Sequence, residues 1–305
     1  MTAAEHGTAS VIATSLFGSR RASLMERTAR VVIAAIVIGI GTSTIVLAVS
    51  ELPMGDLRVY LAAAERLAAG EPLYKTGAEP FNAYWYSPWL AAMFMPATAL
   101  PYSVVVAVWL ATLLAASGLV IARLARLGPT GVLAAGLVGP LLIAVACGGN
   151  VQPLLIAALL YRVEKRDGPV WIALAASLKV TPILFVLALI AGRRWGAAAA
   201  AFGIATILWL PAIPLGFTTG GLAGWDRYAP SLMGLSFPFY VALVLIGSLL
   251  VLAISPRHRW LASSATAVIA LPRLFAYDVT LVLVGAAARK DPGDHEAPRQ
   301  RQAPE

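Results

Sequence analysis

The chain has 305 residues, 59% of them hydrophobic and only 12% charged, with a formal net charge of +8. Average soluble domains carry about 25% charge, so this composition excludes an ordinary water-soluble globular protein, and the mean hydropathy of +0.80 agrees. One cysteine, Cys147, excludes an intrachain disulfide, a CxxC redox pair and a cysteine-rich metal site.

Charge-free runs at Val31–Ser50, Pro80–Ala122, Leu127–Tyr161, Trp195–Trp225 and Tyr228–Pro256 each reach the roughly 20 residues that cross a bilayer. Such runs fit a multi-pass helical membrane protein and exclude a β-barrel, whose strands alternate in segments of about ten. Nucleic acid is not an expected partner, because the basic surplus falls in loops between apolar runs, where it reports orientation.

Residues 1–30 are polar and carry Arg20, Arg21, Arg27 and Arg30 against Glu5 and Glu26, which predicts a cytoplasmic tail. The first span, Val31–Val49, then runs outward. Segment 51–87 holds five acids (Glu51, Asp56, Glu65, Glu71, Glu79) against three bases (Arg58, Arg66, Lys75) and suits the outer face. Within it Leu57, Leu61, Ala64, Leu67 and Ala68 recur at helical spacing, and Gly70 stands where a helix would end. The expectation is an amphipathic helix on the outer membrane surface. Tyr84-Trp85-Tyr86 predicts a return to the interface, and Pro88 the start of the next helix.

Two counts compete after Pro88. If Arg123/Arg126, Arg162/Lys165/Arg166, Arg193/Arg194 and Arg257/Arg259 are all cytoplasmic, then Leu127–Tyr161, Gly168–Gly192 and Trp260–Ala288 each leave and return in too few residues for two full crossings. They would be short or broken helix pairs with middles at Gly148–Asn150, Lys179–Pro182 and Pro272–Asp278. In the other count Pro88–Leu100 and Val104–Ile121 are two complete crossings, and Arg123/Arg126 lie outside. Residues 289–305 predict a disordered tail.

Walker, Rossmann, HExxH and GxSxG signatures are absent from the sequence, and His6, His258 and His295 stand in tails or beside basic loop residues. Asp291 and Asp294 resemble a metal-binding pair but read as a solvated tail. Asp56, at the start of the surface helix, is either an N-cap or a general base for a substrate hydroxyl. Lys179 lies in the apolar block Trp171–Ile190, which contains no acid. It either snorkels or meets an anion, a phosphate being the natural one, where Thr181-Pro182 breaks the helix. Arg273 and Asp278 either neutralise each other or leave Arg273 as a second phosphate ligand. Asn150 and Gln152 form a tight turn or bind a sugar. Trp225, Asp226, Arg227 and Tyr228 read as an interfacial rim.

In their order and spacing these motifs resemble the polyprenyl-phosphate-dependent mannosyltransferases of glycosyltransferase family 87, the domain of unknown function 2029, within the GT-C superfamily. The similarity runs through Asp56-Leu57-Arg58-Val59-Tyr60, Ala62-Ala63, Gly70-Glu71-Pro72-Leu73-Tyr74, Tyr86-Ser87-Pro88, Pro96, Pro101, Gly149-Asn150 and Leu178-Lys179-Val180-Thr181-Pro182. It covers residues 30–215 and, more loosely, Pro272–Asp278. The resemblance implies an inverting transfer of mannose or a related sugar from a lipid-phosphate carrier on the outer face, with Asp56 as the catalytic aspartate. Lys179 matches the lysine of the family's Lys-x-x-Pro segment, and its assignment to donor phosphate is our inference. Arg58, Tyr74 and Tyr86 stand in the matched motifs and join Asn150, Lys179 and Arg273 as expected substrate contacts.

The expected fold is therefore an all-α integral membrane protein, a GT-C-like bundle with about eight to ten membrane segments and a surface helix. Residues 1–30 and 289–305 would be tails around a membrane domain at 31–288. A plasma-membrane site facing the periplasm or cell exterior, a polyprenyl-phosphate-sugar donor, and a glycolipid or glycan acceptor are implied by the resemblance. No metal or cofactor is demanded. The rivals are a lipid or solute transporter, which the broken helices would also suit, and a catalytically silent, truncated family member.

Overall fold

The structure, a computed structural model, describes residues 54–74, 84–217 and 232–288, with isolated positions between 28 and 39. Most of the expected first span, the Lys75 end of the outer loop, the Trp225–Tyr228 rim and both tails lie outside the described residues. All regular structure among the described residues is helical.

Helix α1 (Gly55–Ala68) ends as the sequence predicts. Gly70 adopts φ +71°, and the Glu71 N–H reaches the Arg66 carbonyl at 2.9 Å, a termination that glycine permits without Cβ strain. Its buried face differs from the expected stripe. Leu57, Val59, Tyr60, Ala63 and Ala64 are buried, whereas Leu61 and Leu67 are half-buried and Ala68 is exposed. The reason is a protein partner: α1 packs against α2 (Pro88–Phe94) and the 3₁₀ turn Met95–Ala99, so Tyr60 meets Phe94 and Trp109.

Pro88 opens α2, but Pro96 and Pro101 break the chain's path soon after it. One short α-helix plus a 3₁₀ turn extends roughly 20 Å, less than the ~30 Å hydrocarbon core. Pro88–Leu100 is thus no complete crossing, which removes the competing count.

Helices α3 (Tyr102–Ala125), α4 (Pro129–Cys147) and α8 (Trp195–Trp209, continued by the turn Leu210–Ala212) are long and apolar enough to cross a membrane. Shorter helices complete the bundle. They are α5 (Gln152–Arg162), α6 (Gly168–Leu178), the 3₁₀ turn Thr181–Phe185 with α7 (Val186–Ala191), α9 (Leu232–Leu235), α10 (Phe237–Ala253), α11 (Arg259–Ile269), and the 3₁₀ turn Ala276–Leu281 with α12 (Val282–Ala288). Small residues let these backbones approach, as packing in lipid requires. A Cβ at Gly285 would meet Ser264 Oγ at 2.3 Å, and one at Gly247 would meet Thr266 Oγ1 at 2.7 Å. Large apolar side chains such as Val108, Leu137, Phe202 and Leu249 face outward, as they should against hydrocarbon.

Successive helices run antiparallel. Arg123 at the end of α3 stacks on Tyr161 at the end of α5, and the Trp209 indole N–H reaches the Ala176 carbonyl near the end of α6. The four basic clusters therefore gather at one end. The three hairpin tips, Gly148–Asn150, Lys179–Val180 and Leu271–Phe275, meet at the other with α1, the arrangement of the first count.

Candidate active site

Backbone contacts seat α1 on the first tip. The Asp56 N–H donates to the Gly148 carbonyl at 3.0 Å. Gly149 has φ +82°, and a Cβ there would lie 2.9 Å from Leu57 N, so this approach needs glycine. Met54 rather than Asp56 occupies the N-cap, and no side chain caps the helix. The Asp56 carboxylate instead turns to Asn150, whose Nδ2 donates to Oδ2 at 3.1 Å and lies 3.4 Å from the Tyr86 hydroxyl. Asn150 Oδ1 accepts the Gln152 N–H at 2.9 Å, which fixes the orientation of the amide. The turn reading and the polar-ligand geometry thus coexist in one residue.

Burial raises the Asp56 carboxyl above the ordinary carboxylate value, against the opposing pull of the Asn150 hydrogen bond and the positive charge of Lys179. A half-buried carboxylate with a raised pKa is better matched to proton abstraction near neutral pH than a free one.

The second tip supplies Lys179, extended where α6 stops and ahead of Pro182. Its ammonium, expected to lack an acid, has one 99 residues further along: Nζ lies 2.7 Å from Asp278 Oδ1. It also sits 4.6 Å from the centre of the Tyr277 ring. Asp278 Oδ2 accepts the Phe275 N–H at 3.0 Å, so this acid both caps the third tip and binds the second. Of the two alternatives for Arg273, neutralisation by Asp278 or a role as a phosphate ligand, the first is not what forms: Asp278 is taken up by Lys179 and Phe275, and the Arg273 guanidinium lies 5.0 Å from the centre of the Trp85 ring.

The Tyr84-Trp85-Tyr86 segment packs into the site. Tyr84 is buried and donates to the Ser87 carbonyl, Tyr86 packs edge-on against Tyr60 at 5.1 Å, and Ser87 N–H bonds the Ser177 carbonyl at 3.1 Å. Tyr74 acts at one remove, donating to the Tyr86 carbonyl at 2.8 Å. Arg58 stands apart. It is roughly 200° around α1 from Asp56, with its Nε 3.2 Å from the Tyr102 hydroxyl, in an open depression lined also by Leu61, Ala62 and Glu65.

Residues 84–297 match the family model of glycosyltransferase family 87. The chain belongs to glycosyltransferase family 87. No similarity to a curated protein or to a solved structure was found. The matched segment of this glycosyltransferase starts at Tyr84, so it includes Tyr86, Asn150, Lys179, Arg273 and Asp278 and leaves α1 with Asp56 outside.

The fold brings Asp56, Tyr86, Asn150 and Lys179 together, keeps Arg273 beside them over Trp85, and holds Tyr74 behind and Arg58 away. Tyr60, Tyr277 and Asp278 belong to the same cluster and were not among the expected site residues. For Asp278 a signal existed: it is the only acid in Trp260–Ala288, as Lys179 is the only charge in Trp171–Ile190. A lone acid and a lone base in two apolar blocks are natural partners.

Proposed function

We propose that this family 87 glycosyltransferase is a GT-C-type enzyme that moves a hexose, mannose by the resemblance, from a polyprenyl-phosphate carrier to an acceptor hydroxyl, with inversion, at the outer face of the plasma membrane. The observation that supports it most is the Asp56 carboxylate, held by Asn150 through Oδ2 at the meeting point of three helix breaks. Its other oxygen, Oδ1, is assigned to the acceptor hydroxyl of a glycolipid or glycan.

In this reading Asp56 takes the hydroxyl proton while the acceptor oxygen attacks the anomeric carbon from the face opposite the phosphate. The bond from that carbon to the phosphate oxygen breaks through an oxocarbenium-like state, and the phosphate leaves with the electron pair. Lys179 and Arg273 are assigned to the departing phosphate. Asp278 uses one of the three N–H donors of the Lys179 ammonium. Burial lowers Arg273 to about 10, so it stays cationic at neutral pH. Tyr86 and Asn150 would orient the sugar. The Arg58 depression lies too far around α1 to touch the reacting atoms and would serve a remote part of the acceptor.

The gathering of Arg123, Arg126, Arg162, Lys165, Arg166, Arg193, Arg194, Arg257 and Arg259 at one end favours the cytoplasm for that end and the exterior for the tips. With Cys147 replaced, Glu71→Cys should react with a membrane-impermeant thiol reagent in intact cells and Lys165→Cys only after lysis. The reverse pattern would overturn the outward site.

The activity test is transfer of radiolabelled mannose from polyprenyl-phosphate-mannose in membranes carrying the chain. A labelled glycan formed only in those membranes supports the reading. Label carried across vesicles without a new glycosidic bond supports the transporter, and neither outcome at saturating donor supports the silent family member.

A further inference from the structure

Asp278 has no role in the reaction just described, yet it is among the most buried charged groups of the described residues, with 2% exposure. Both its oxygens are engaged, Oδ1 by Lys179 Nζ and Oδ2 by the Phe275 N–H. Each oxygen keeps acceptor capacity, but the side chain is closed off by its burial and committed to two protein partners rather than presented to a substrate hydroxyl. The Oδ1 bond joins the second hairpin tip to the third and holds the ammonium near the Tyr277 ring, while the Oδ2 bond closes the third tip itself. Gln152 Nε2 adds a parallel tie, reaching Thr280 Oγ1 at 3.2 Å, so the first and third tips are already linked without Asp278.

We propose that Asp278 is a positioning residue of the transferase: it fixes Lys179 at the site and neutralises it, and so sets the field in which the Asp56 carboxylate works. The inference rests on the reading of Asp56 as the base. The groups facing Asp56 are Tyr60 on its own helix, Tyr86 before α2, Asn150 on the first tip, Lys179 on the second and Tyr277 on the third, with Asp278 bonded to Lys179 and Arg273 over Trp85. Among the described residues Lys179 is the cation acting directly on Asp56. Asp278 screens it. Removing the Asp278 charge leaves that cation uncompensated, which favours the ionised carboxylate.

Asp278→Asn keeps an acceptor for the Phe275 N–H and loses the charge. The expected result is a lower kcat, by about tenfold or more, with the acid limb of the kcat/KM profile displaced to lower pH. Asp278→Glu, which keeps the charge, should restore the parental limb and part of kcat. An Asn variant that melts earlier but keeps the parental kcat and pH profile would make Asp278 a structural residue only and overturn the proposal.

A second measurement does not need sugar transfer. In a Cys147→Ala background, the Asp56→Cys thiol should alkylate with iodoacetamide at lower pH when Asp278 is Asn than when it is Asp, because the unscreened ammonium favours thiolate. Identical titration curves would overturn the proposal. A displaced curve in a chain that transfers no sugar would uphold the role of Asp278 and refute the transferase reading instead.

Discussion

The two ends of the bundle satisfy their charges in opposite ways. At the basic end Arg162 pairs with Asp167 five residues on, Asp167 also accepts the Trp171 indole N–H, and Ser255 bonds His258; these contacts are local and exposed or half-buried. At the tips the partners lie far apart in sequence, 94 residues for Asn150 and Asp56, 99 for Lys179 and Asp278, 128 for Gln152 and Thr280. Apart from the Arg123–Tyr161 stack, which crosses from α3 to α5, these basic-end contacts can form as each hairpin forms, whereas the tip cluster exists only once all three hairpins and α1 have assembled. The contrast separates charges met mostly by near neighbours from charges that the bundle must bring together.

Removing one partner at the tips should have the largest effect on stability. Lys179→Met leaves Asp278 buried without its cation and should cost about 3–5 kcal/mol. Lys179→Met with Asp278→Leu should recover most of it, as read from unfolding of the detergent-solubilised protein. A double variant no more stable than the single would mean that the pair is not the source of the cost. Gly149→Ala comes next, at about 1–3 kcal/mol, from the strained φ and the clash with Leu57. It should also lower sugar transfer, because α1 carries Asp56. At the basic end Arg162→Ala should leave the melting temperature unchanged. Its visible effect should be local: Asp167, held low by Arg162 and then Trp171, should titrate closer to the ordinary carboxylate value by NMR. A large loss of stability there would erase the distinction between the two ends.

Much of this was legible in the sequence. The apolar helices among the described residues, the Gly70 termination, the Pro88 start and the three hairpin middles obey local rules of length, propensity and charge, and the structure has them. The phase of α1 was missed because periodicity ranks Leu61 and Leu67 with Leu57. The helix buries Tyr60 and Ala63 instead, against Phe94 and Trp109, a partner no local pattern reveals. The packing of Tyr84-Trp85-Tyr86 was hidden for a related reason, since aromatic rings suit both a membrane interface and a packed site. Asn150 and Lys179 stood out as polar groups at helix breaks, but which group each one meets depends on tertiary assembly. The Lys179–Asp278 pair could have been suspected only by setting two apolar blocks side by side and noting the lone base of one and the lone acid of the other, a block that also holds Arg273.

If Asp56 is the base of a sugar transfer, its raised pKa gives the pH dependence a definite sign. Activity should fall as pH drops through the raised value, because a protonated carboxyl accepts no proton. The stability contribution of this group runs the other way: it is fully present below the ordinary carboxylate pKa and is lost as pH rises through the raised folded value. At neutral pH the buried charge is therefore a cost, and Asp56→Asn should keep or raise the melting temperature. The most direct measurement is the rate of mannose transfer by Asp56→Asn and by the parent chain at equal amounts of folded protein. The account predicts a fall of about 10²–10⁴-fold with no loss of thermal stability. Transfer at the parental rate by the folded Asn variant would contradict it.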